Sequence, residues 1–388
     1  MNLIIGTMDM RIVEYKTFQY PPNRFMDKES ILSLLRECLS HEPNDIHIHS
    51  DHPVIMEING AMIRATERPI DWSEFSAIAD VLRQKDSATT ILSQSQDYDG
   101  EFPMTDKDKV RRRLRVNMTG TTSVRNPQAA HIVLRPMQGK PPMPNEIGLD
   151  GPILQSLFPQ KGAVYVIGPT GSGKTTTFAS LFAYAALSGE TPYHGHLATY
   201  ESPPEYDLEG LSSPNLLITQ TAIHAPWGLP DFATGIRNAL RRHPCAVMIG
   251  EVRDLETVQA VVEAALTGHP VFGTVHADSP VVAFQRLLSR FPASQQSAGL
   301  YDLIMTTEVI LAQRLVPRVG GGRIAVREYI VFNDMLRREM LQLGNPGEVA
   351  AMIARRTDEF GCSFSASARQ LFDAGLIAEE DMMAIVNR

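Results

Sequence analysis

Residues 168–175 read Gly168-Pro169-Thr170-Gly171-Ser172-Gly173-Lys174-Thr175, with Thr176 behind them. Three glycines followed by a lysine and hydroxyls suit one chemistry, the cradling of nucleotide phosphates. Glycine lets the backbone bend tightly enough to turn successive N–H groups toward one anion. A helix starting at the end of the loop adds unpaired donors and a positive dipole end. Lys174 would reach the β- and γ-phosphates, and the Thr175 hydroxyl would ligate Mg²⁺. The expected ligand is a nucleoside triphosphate.

Further candidates lie downstream. Cys245-Ala246-Val247-Met248-Ile249 is an apolar run that ends at Gly250-Glu251. An acid there can polarise an attacking water as a general base; the bland alternative is a solvated strand cap. Glu201 follows Thr199-Tyr200 at the end of another run and would hold Mg²⁺ or water, with Glu205 either a further ligand or a loop charge. His276 ends a third run, Val271-Phe272-Gly273-Thr274-Val275, where an imidazole can sense the γ-phosphate by hydrogen bonding. His269 reads as a packing residue.

These side chains need strands and helices to converge them. Ala163-Val164-Tyr165-Val166-Ile167 suits a buried strand, and the segment after the loop has helical spacing. From about 151 to 332, strand candidates (163–167, 195–200, 216–221, 245–250, 271–276) alternate with helices near 173–187, 229–242, 254–266 and 281–290. That is the rhythm of a parallel sheet covered on both faces. A further strand is expected at 324–331, and 333–388 reads as a run of short helices. Pro136, Gly139, Pro141, Pro142 and Pro144 mark 136–150 as a linker. Residues 1–135 read as a smaller α/β domain. It has a helix from Lys28, strands around 45–49 and 54–64 with a hairpin at Asn59-Gly60, an N-cap at Asp71, and strands at 111–118 and 131–135.

A chain of 388 residues has room for two or three domains. No apolar stretch reaches the length of a membrane span, and the opening Met1-Asn2-Leu3-Ile4-Ile5 lacks the features of a secretory leader. Three scattered cysteines (Cys38, Cys245, Cys362) disfavour a disulfide framework or a zinc ribbon. The cytoplasm is the expected compartment. A net charge of −8 argues against a surface that coats nucleic acid. Locally, Lys107, Lys109, Arg111, Arg112, Arg113 and Arg115 form a basic run. It is either a solvated strand face or a positive edge for a phosphate, of nucleic acid or of a nucleotide. His41, His47, His49 and His52 admit a metal reading or an ordinary packing one.

Taken in order, Gly168–Thr177, Tyr200–Glu205, Gly250–Thr257 and Gly268–His276 resemble the Walker A, Asp box, Walker B and His box of the secretion ATPase superfamily. Its members are hexameric motors of type II and type IV secretion and of type IV pili. Arg286–Pro292, Leu311–Val316 and Gln370–Ile377 add to the likeness, and Asn44–Ile48 extends it more loosely toward the N-terminus. Overall layout is most similar to the type IVB branch, which serves Dot/Icm-like and conjugation systems. The resemblance implies a PAS-like N-terminal domain, a RecA-like P-loop domain, a homohexameric ring, Mg·ATP hydrolysis, and docking on the cytoplasmic face of a membrane secretion complex. It also implies that arginines reach the phosphates. Arg115, Arg125 and Arg135 occupy matching N-terminal stretches, and Arg241 precedes the Walker B strand. This sequence departs from the pattern at Ser202, where pilus-retraction members carry an acid. It also lacks a tetracysteine zinc motif and an Ala-Ile-Arg-Ala-Glu-Asn retraction motif. A pilus ATPase and a nucleic-acid translocase stay open as alternatives. A GTPase has no Asn-Lys-x-Asp base-reading motif to support it.

Overall fold

From Leu114 to Met118 every second residue is fully buried, and the alternation recurs at Ile46/Ile48 and Ile132/Leu134. Strands of this kind pack one face and leave the other open. The computed structural model describes residues 24–387 apart from 59–60, 95, 123–127, 138 and 224–227. The opening residues Met1–Ile5, the Asn59-Gly60 turn and Arg125 therefore lie outside the described residues. The chain divides into two compact units, Met1–Met137 and Gln138–Arg388.

In the first unit the order is α1 (Lys28–Leu39), β1 (Asp45–His49), β2 (Ile55–Ile58), β3 (Ala61–Arg64), α2 (Trp72–Arg83), β4 (Tyr98–Thr105), β5 (Arg111–Thr121) and β6 (Ala129–Pro136). The strands form one antiparallel sheet, ordered β3-β2-β1-β6-β5-β4. Ile31, Leu34, Leu35 and Cys38 of α1 repeat at helical spacing and share a core with Phe75, Ile78, Ala79 and Leu82 of α2 and with the buried strand residues. Asp71 caps α2 in a capping box with Glu74, which satisfies two donors at the helix start. The strand β4 is not foreseen in the sequence because Gly100 and Pro103 interrupt its alternation. Pro103 is tolerated because β4 is the sheet edge.

Alternation places His47, His49 and His131 together on the second face. His47 Nδ1 lies 3.2 Å from His131 Nε2, and the two rings stack at 5.3 Å between centroids. Among the described residues no group of three or more His, Cys, Asp or Glu side chains could hold a metal ion. Burial, then the neighbouring His47 and His49, hold His131 below the ordinary imidazole value. The unfolded chain therefore takes the proton more readily, so stability present above about pH 6.5 is lost as the pH falls. Thermal unfolding measured on either side of that pH should show a drop on acidification. The drop should be smaller in His131→Gln.

The second unit runs α3 (Gly151–Ser156), β7 (Gly162–Ile167), α4 (Lys174–Ser188), β8 (Gly195–Glu201), β9 (Leu216–Ala222), α5 (Phe232–Ala239), β10 (Pro244–Ile249), α6 (Leu255–Leu266), β11 (Pro270–Val275), α7 (Pro280–Leu288), α8 (Gln296–Thr306), β12 (Thr307–Pro317), β13 (Arg323–Val331), α9 (Asp334–Leu343), α10 (Pro346–Arg356), β14 (Gly361–Cys362), α11 (Phe364–Asp373) and α12 (Glu379–Val386). One sheet holds all its strands, in the order β14-β13-β12-β7-β11-β10-β8-β9. From β12 to β9 the pairs are parallel, and β13 and β14 add an antiparallel edge. Every residue of β7 and β11 is buried, as strands covered on both faces require. Residues 333–388 hold the short helices α9 to α12 and the short strand β14. Leu336, Met340, Val349 and Ile353 join the core of this unit, and β14 pairs with β13. The helix α8 also went unforeseen, since Gly299 sits inside it and no side chain caps its start. That glycine makes room for the Phe291 ring, which a Cβ there would approach to 2.7 Å. Among the described residues no helix is long and apolar enough to cross a membrane.

Candidate active site

In an open parallel sheet ligands collect beyond the carboxyl ends of the strands. The loop 168–173 leaves the end of β7, Glu201 is the last residue of β8, Glu251 stands two residues beyond β10, and His276 directly follows β11. The parallel registers of β7, β11, β10 and β8 bring all four to that one edge.

Gly168, Gly171 and Gly173 have φ of +149°, +76° and +86°, values that L side chains rarely adopt. Crowding restricts two of them further. A Cβ at Gly168 would lie 2.5 Å from the Gln313 carbonyl oxygen, and one at Gly173 would lie 2.8 Å from Gln313 Nε2. The backbone can therefore coil directly above β12, with Pro169, Thr170 and Gly171 exposed at its rim. Ser172 is buried, and its Oγ, without a hydrogen-bond partner among the described residues, packs beside Gly168, where an added Cβ would lie 2.5 Å from it.

Lys174 opens α4, and its Nζ donates to the carbonyls of Gly168 and Pro169, each at 2.9 Å. Burial lowers its pKa from the usual lysine value, while the Glu205 and Glu251 carboxylates act in the opposite direction. The ammonium is thus held over the loop with two acids acting on it. Thr175 is half-buried in the first turn of α4, and the Thr176 hydroxyl lies 3.0 Å from Tyr206 Oη.

Glu201 is buried. Its Oε1 accepts from Thr199 Oγ1 at 2.6 Å and from Gln220 Nε2 at 2.9 Å, so one oxygen is anchored. Glu205 lies exposed in the loop beyond. Such an anchored carboxylate, with the Thr175 hydroxyl, has the oxygen chemistry that Mg²⁺ prefers.

Glu251 is half-buried, with Oε1 3.9 Å from His276 Nε2 and Oε2 3.8 Å from Arg253 Nη1. The backbone behind it is tied on both sides: Gly250 N–H donates to Tyr200 O at 2.7 Å and Val252 N–H to Thr274 O at 2.8 Å. Burial, then Lys174, depress the His276 pKa; Glu251 opposes them and Arg286 reinforces them. The ring is therefore held neutral at ordinary pH, with one N–H to donate.

The proposed arginines are placed differently. Arg115 is bidentate to Asp99 (3.1 and 2.7 Å), and Arg135 to Asp45 (2.8 and 2.7 Å), both within the first unit. A phosphate would have to compete with these carboxylates. Arg241 is exposed just before β10. It thus lies at the opposite edge of the sheet from Glu251, about 20 Å away at the rise of a strand, and one chain does not bring it to the loop. Gln220, Gln313 and Arg327 also bear on the site, though the sequence does not single them out. Only Gln313 carried a hint, a polar amide after the apolar run Val309-Ile310-Leu311-Ala312.

Comparison with known proteins bears on this arrangement. The family model described as "Type II/IV secretion system protein" matches residues 26–322. The type IV pilus retraction ATPase PilT of Pseudomonas aeruginosa is 30% identical over 308 residues, covering 79% of this chain and 84% of its own. The X-ray structure of the Legionella pneumophila ATPase DotB has a TM-score of 0.80 at 32% identity, covering 95% of this chain and 98% of that one. The Yersinia pseudotuberculosis DotB structure gives 0.81 at 33%, over 96% and 97%. A crystal structure of the pilus retraction motor PilT with bound ADP gives 0.75 at 27%, over 92% and 96%. With the family model spanning most of both units and these likenesses running nearly end to end, the chain belongs to the type II/IV secretion system protein family.

Proposed function

We propose that this protein is a Mg·ATP-hydrolysing motor of a type IV secretion system, most akin to the IVB branch, working as a homohexameric ring at the cytoplasmic face of the inner-membrane apparatus. The observation that carries the reading is the convergence of the Lys174 loop, Glu201, Glu251 and His276 on one sheet edge. The near full-length likeness to the DotB ATPases supports the choice of machine. The strand order of the first unit, which contains the run β2-β1-β6-β5-β4, supports a PAS-like domain, and the parallel sheet of the second supports a RecA-like one.

In this reading the N–H groups of residues 171–175 bind the β- and γ-phosphates and Lys174 neutralises them. Thr175 and Glu201 would hold Mg²⁺, with Glu205 as a further oxygen donor, and the bound ion neutralises charge on the phosphate oxygens. Glu251 takes a proton from water as the water oxygen attacks the γ-phosphorus. The bond from that phosphorus to the β–γ bridging oxygen breaks, and ADP leaves with the bridging oxygen. His276 donates to a γ-phosphate oxygen as charge shifts there. Arg241, remote from its own loop, is proposed to face the nucleotide of a neighbouring copy.

The second reading, a type IV pilus ATPase, is favoured by the PilT likeness over 79% of the chain. The two are separated by isolating the Glu251→Gln protein with ATP from its native envelope and identifying its companions. The proposal expects a six-fold mass and inner-membrane components of a type IV secretion apparatus. Pilus assembly components in their place would favour the second reading.

A further inference from the structure

Gln313 is 2% exposed and lies in the middle of β12, where its neighbours Leu311 and Ala312 are fully apolar and buried. A primary amide in such a place is costly unless each of its atoms is paired. Here each is. Nε2 donates to the Ser172 carbonyl at 2.6 Å, while Oε1 accepts from Thr177 Oγ1 at 2.9 Å and from Arg327 Nε at 3.1 Å. Its backbone oxygen and side-chain nitrogen are also the atoms that a Cβ at Gly168 or Gly173 would meet. The phosphate loop thus rests on this one residue at both ends.

Arg327, opposite Gln313 across the β12–β13 ladder, is itself 7% exposed. Beyond Gln313, its Nη1 donates to Gly148 O at 3.0 Å and its Nη2 to Ile147 O at 2.7 Å. All three acceptors are uncharged. Burial pulls the guanidinium down to about 10, with Asp150 opposing, so it stays a cation at neutral pH. A continuous set of hydrogen bonds therefore joins Ser172 in the loop and Thr177 in α4 to the segment that precedes α3.

The orientation of the Ser172 carbonyl has a chemical consequence. A trans peptide is planar, with its C=O and the following N–H pointing in opposite directions. Holding the Ser172 oxygen down on Gln313 turns the Gly173 N–H away from the sheet, toward the concave side of the loop. Only an amide can do this while also accepting from Thr177 and Arg327. A carboxylate keeps the two acceptor roles and loses the donor, and an alkyl chain loses all three.

We propose that Gln313 and Arg327 are positioning residues for nucleotide binding. Gln313 sets the Ser172–Gly173 peptide so that the loop's N–H groups face the phosphates, and Arg327 ties that setting to the 147–148 segment. This rests on the phosphate-loop reading above.

The test uses the full chain with Mg·ATPγS as probe, measured by calorimetry beside thermal unfolding of the nucleotide-free protein. Gln313→Glu keeps the acceptors for Thr177 and Arg327, and its charge faces the Arg327 guanidinium, which offsets the repulsion between its second oxygen and the Ser172 carbonyl, so the unfolding temperature should change little. Its dissociation constant for Mg·ATPγS should nevertheless rise at least about tenfold. A purely structural role gives the reverse, a lower unfolding temperature with unchanged affinity, and that result overturns the proposal. Arg327→Lys keeps the charge but lacks the planar fork that serves three acceptors. Mg·ATPγS should slow hydrogen exchange at the Leu149 amide in the wild type and leave it unchanged in this variant; equal slowing in both overturns the tie to the 147–148 segment. If the wild type itself takes up no Mg·ATPγS, the loop reading falls with it. Wild-type binding with undiminished Gln313→Glu affinity removes this inference alone.

Discussion

Lys174→Ala should fold normally and lose Mg·ATP binding by about a hundredfold or more. An ammonium hydrogen-bonded to anionic phosphates contributes about 3 kcal/mol, and each 1.4 kcal/mol is tenfold in affinity. The fold does not depend on this charge. Burial already disfavours it, and its bonds go to two neutral carbonyls, of buried Gly168 and exposed Pro169. Removing it relieves a desolvation cost, so the loss should fall on binding alone. Calorimetric titration with Mg·ATP, paired with thermal unfolding, separates the two quantities. Unaltered affinity in the variant would mean that the phosphates do not sit where the loop points.

Glu251→Gln should bind Mg·ATP as well as the wild type and turn it over 10²- to 10⁴-fold more slowly, the range a positioned general base supplies. That corresponds to about 3–5 kcal/mol of barrier. The substitution keeps size and hydrogen-bonding reach, and removes only the capacity to take a proton. Its structural cost should be small, because the contacts to His276 at 3.9 Å and Arg253 at 3.8 Å are long and half-exposed, and such pairs contribute little. Steady-state phosphate release at saturating ATP gives the turnover, and a titration gives the affinity. Weaker binding with intact turnover would instead make Glu251 a ligand-holding residue.

Much of this site was legible in the sequence because its residues follow strands. A buried strand is a short apolar run, and in a parallel sheet every such run ends on the same edge. Gly168, Glu201, Glu251 and His276 could thus be placed together without any coordinate. Their supports were not legible for the complementary reason. Gln220 anchors Glu201 from β9, and Gln313 holds the loop from β12. Both depend on lateral neighbours in the sheet, which periodicity along one strand does not report. Arg241 shows the opposite limit. It precedes β10, so the same rule that gathers the strand ends puts it at the edge away from Glu251; the sequence of one chain does not say which neighbouring copy it would face. In the first unit the alternation of β5 and the capping box of α2 were plain, whereas β4 was hidden by the proline that only an edge strand tolerates. The packing of residues 333–388 into the second core was hidden too, because amphipathic helices reveal an apolar face and not the surface that receives it.

The account stands on a triphosphate held above Lys174 and cleaved by water activated at Glu251. Its most direct test is to incubate wild-type and Glu251→Gln protein with Mg·ATP labelled at the γ-phosphate, remove free nucleotide, and identify what remains bound. The account expects ADP in the wild type and intact, labelled ATP in the variant. Bound ADP in both, formed at equal rates, would contradict it.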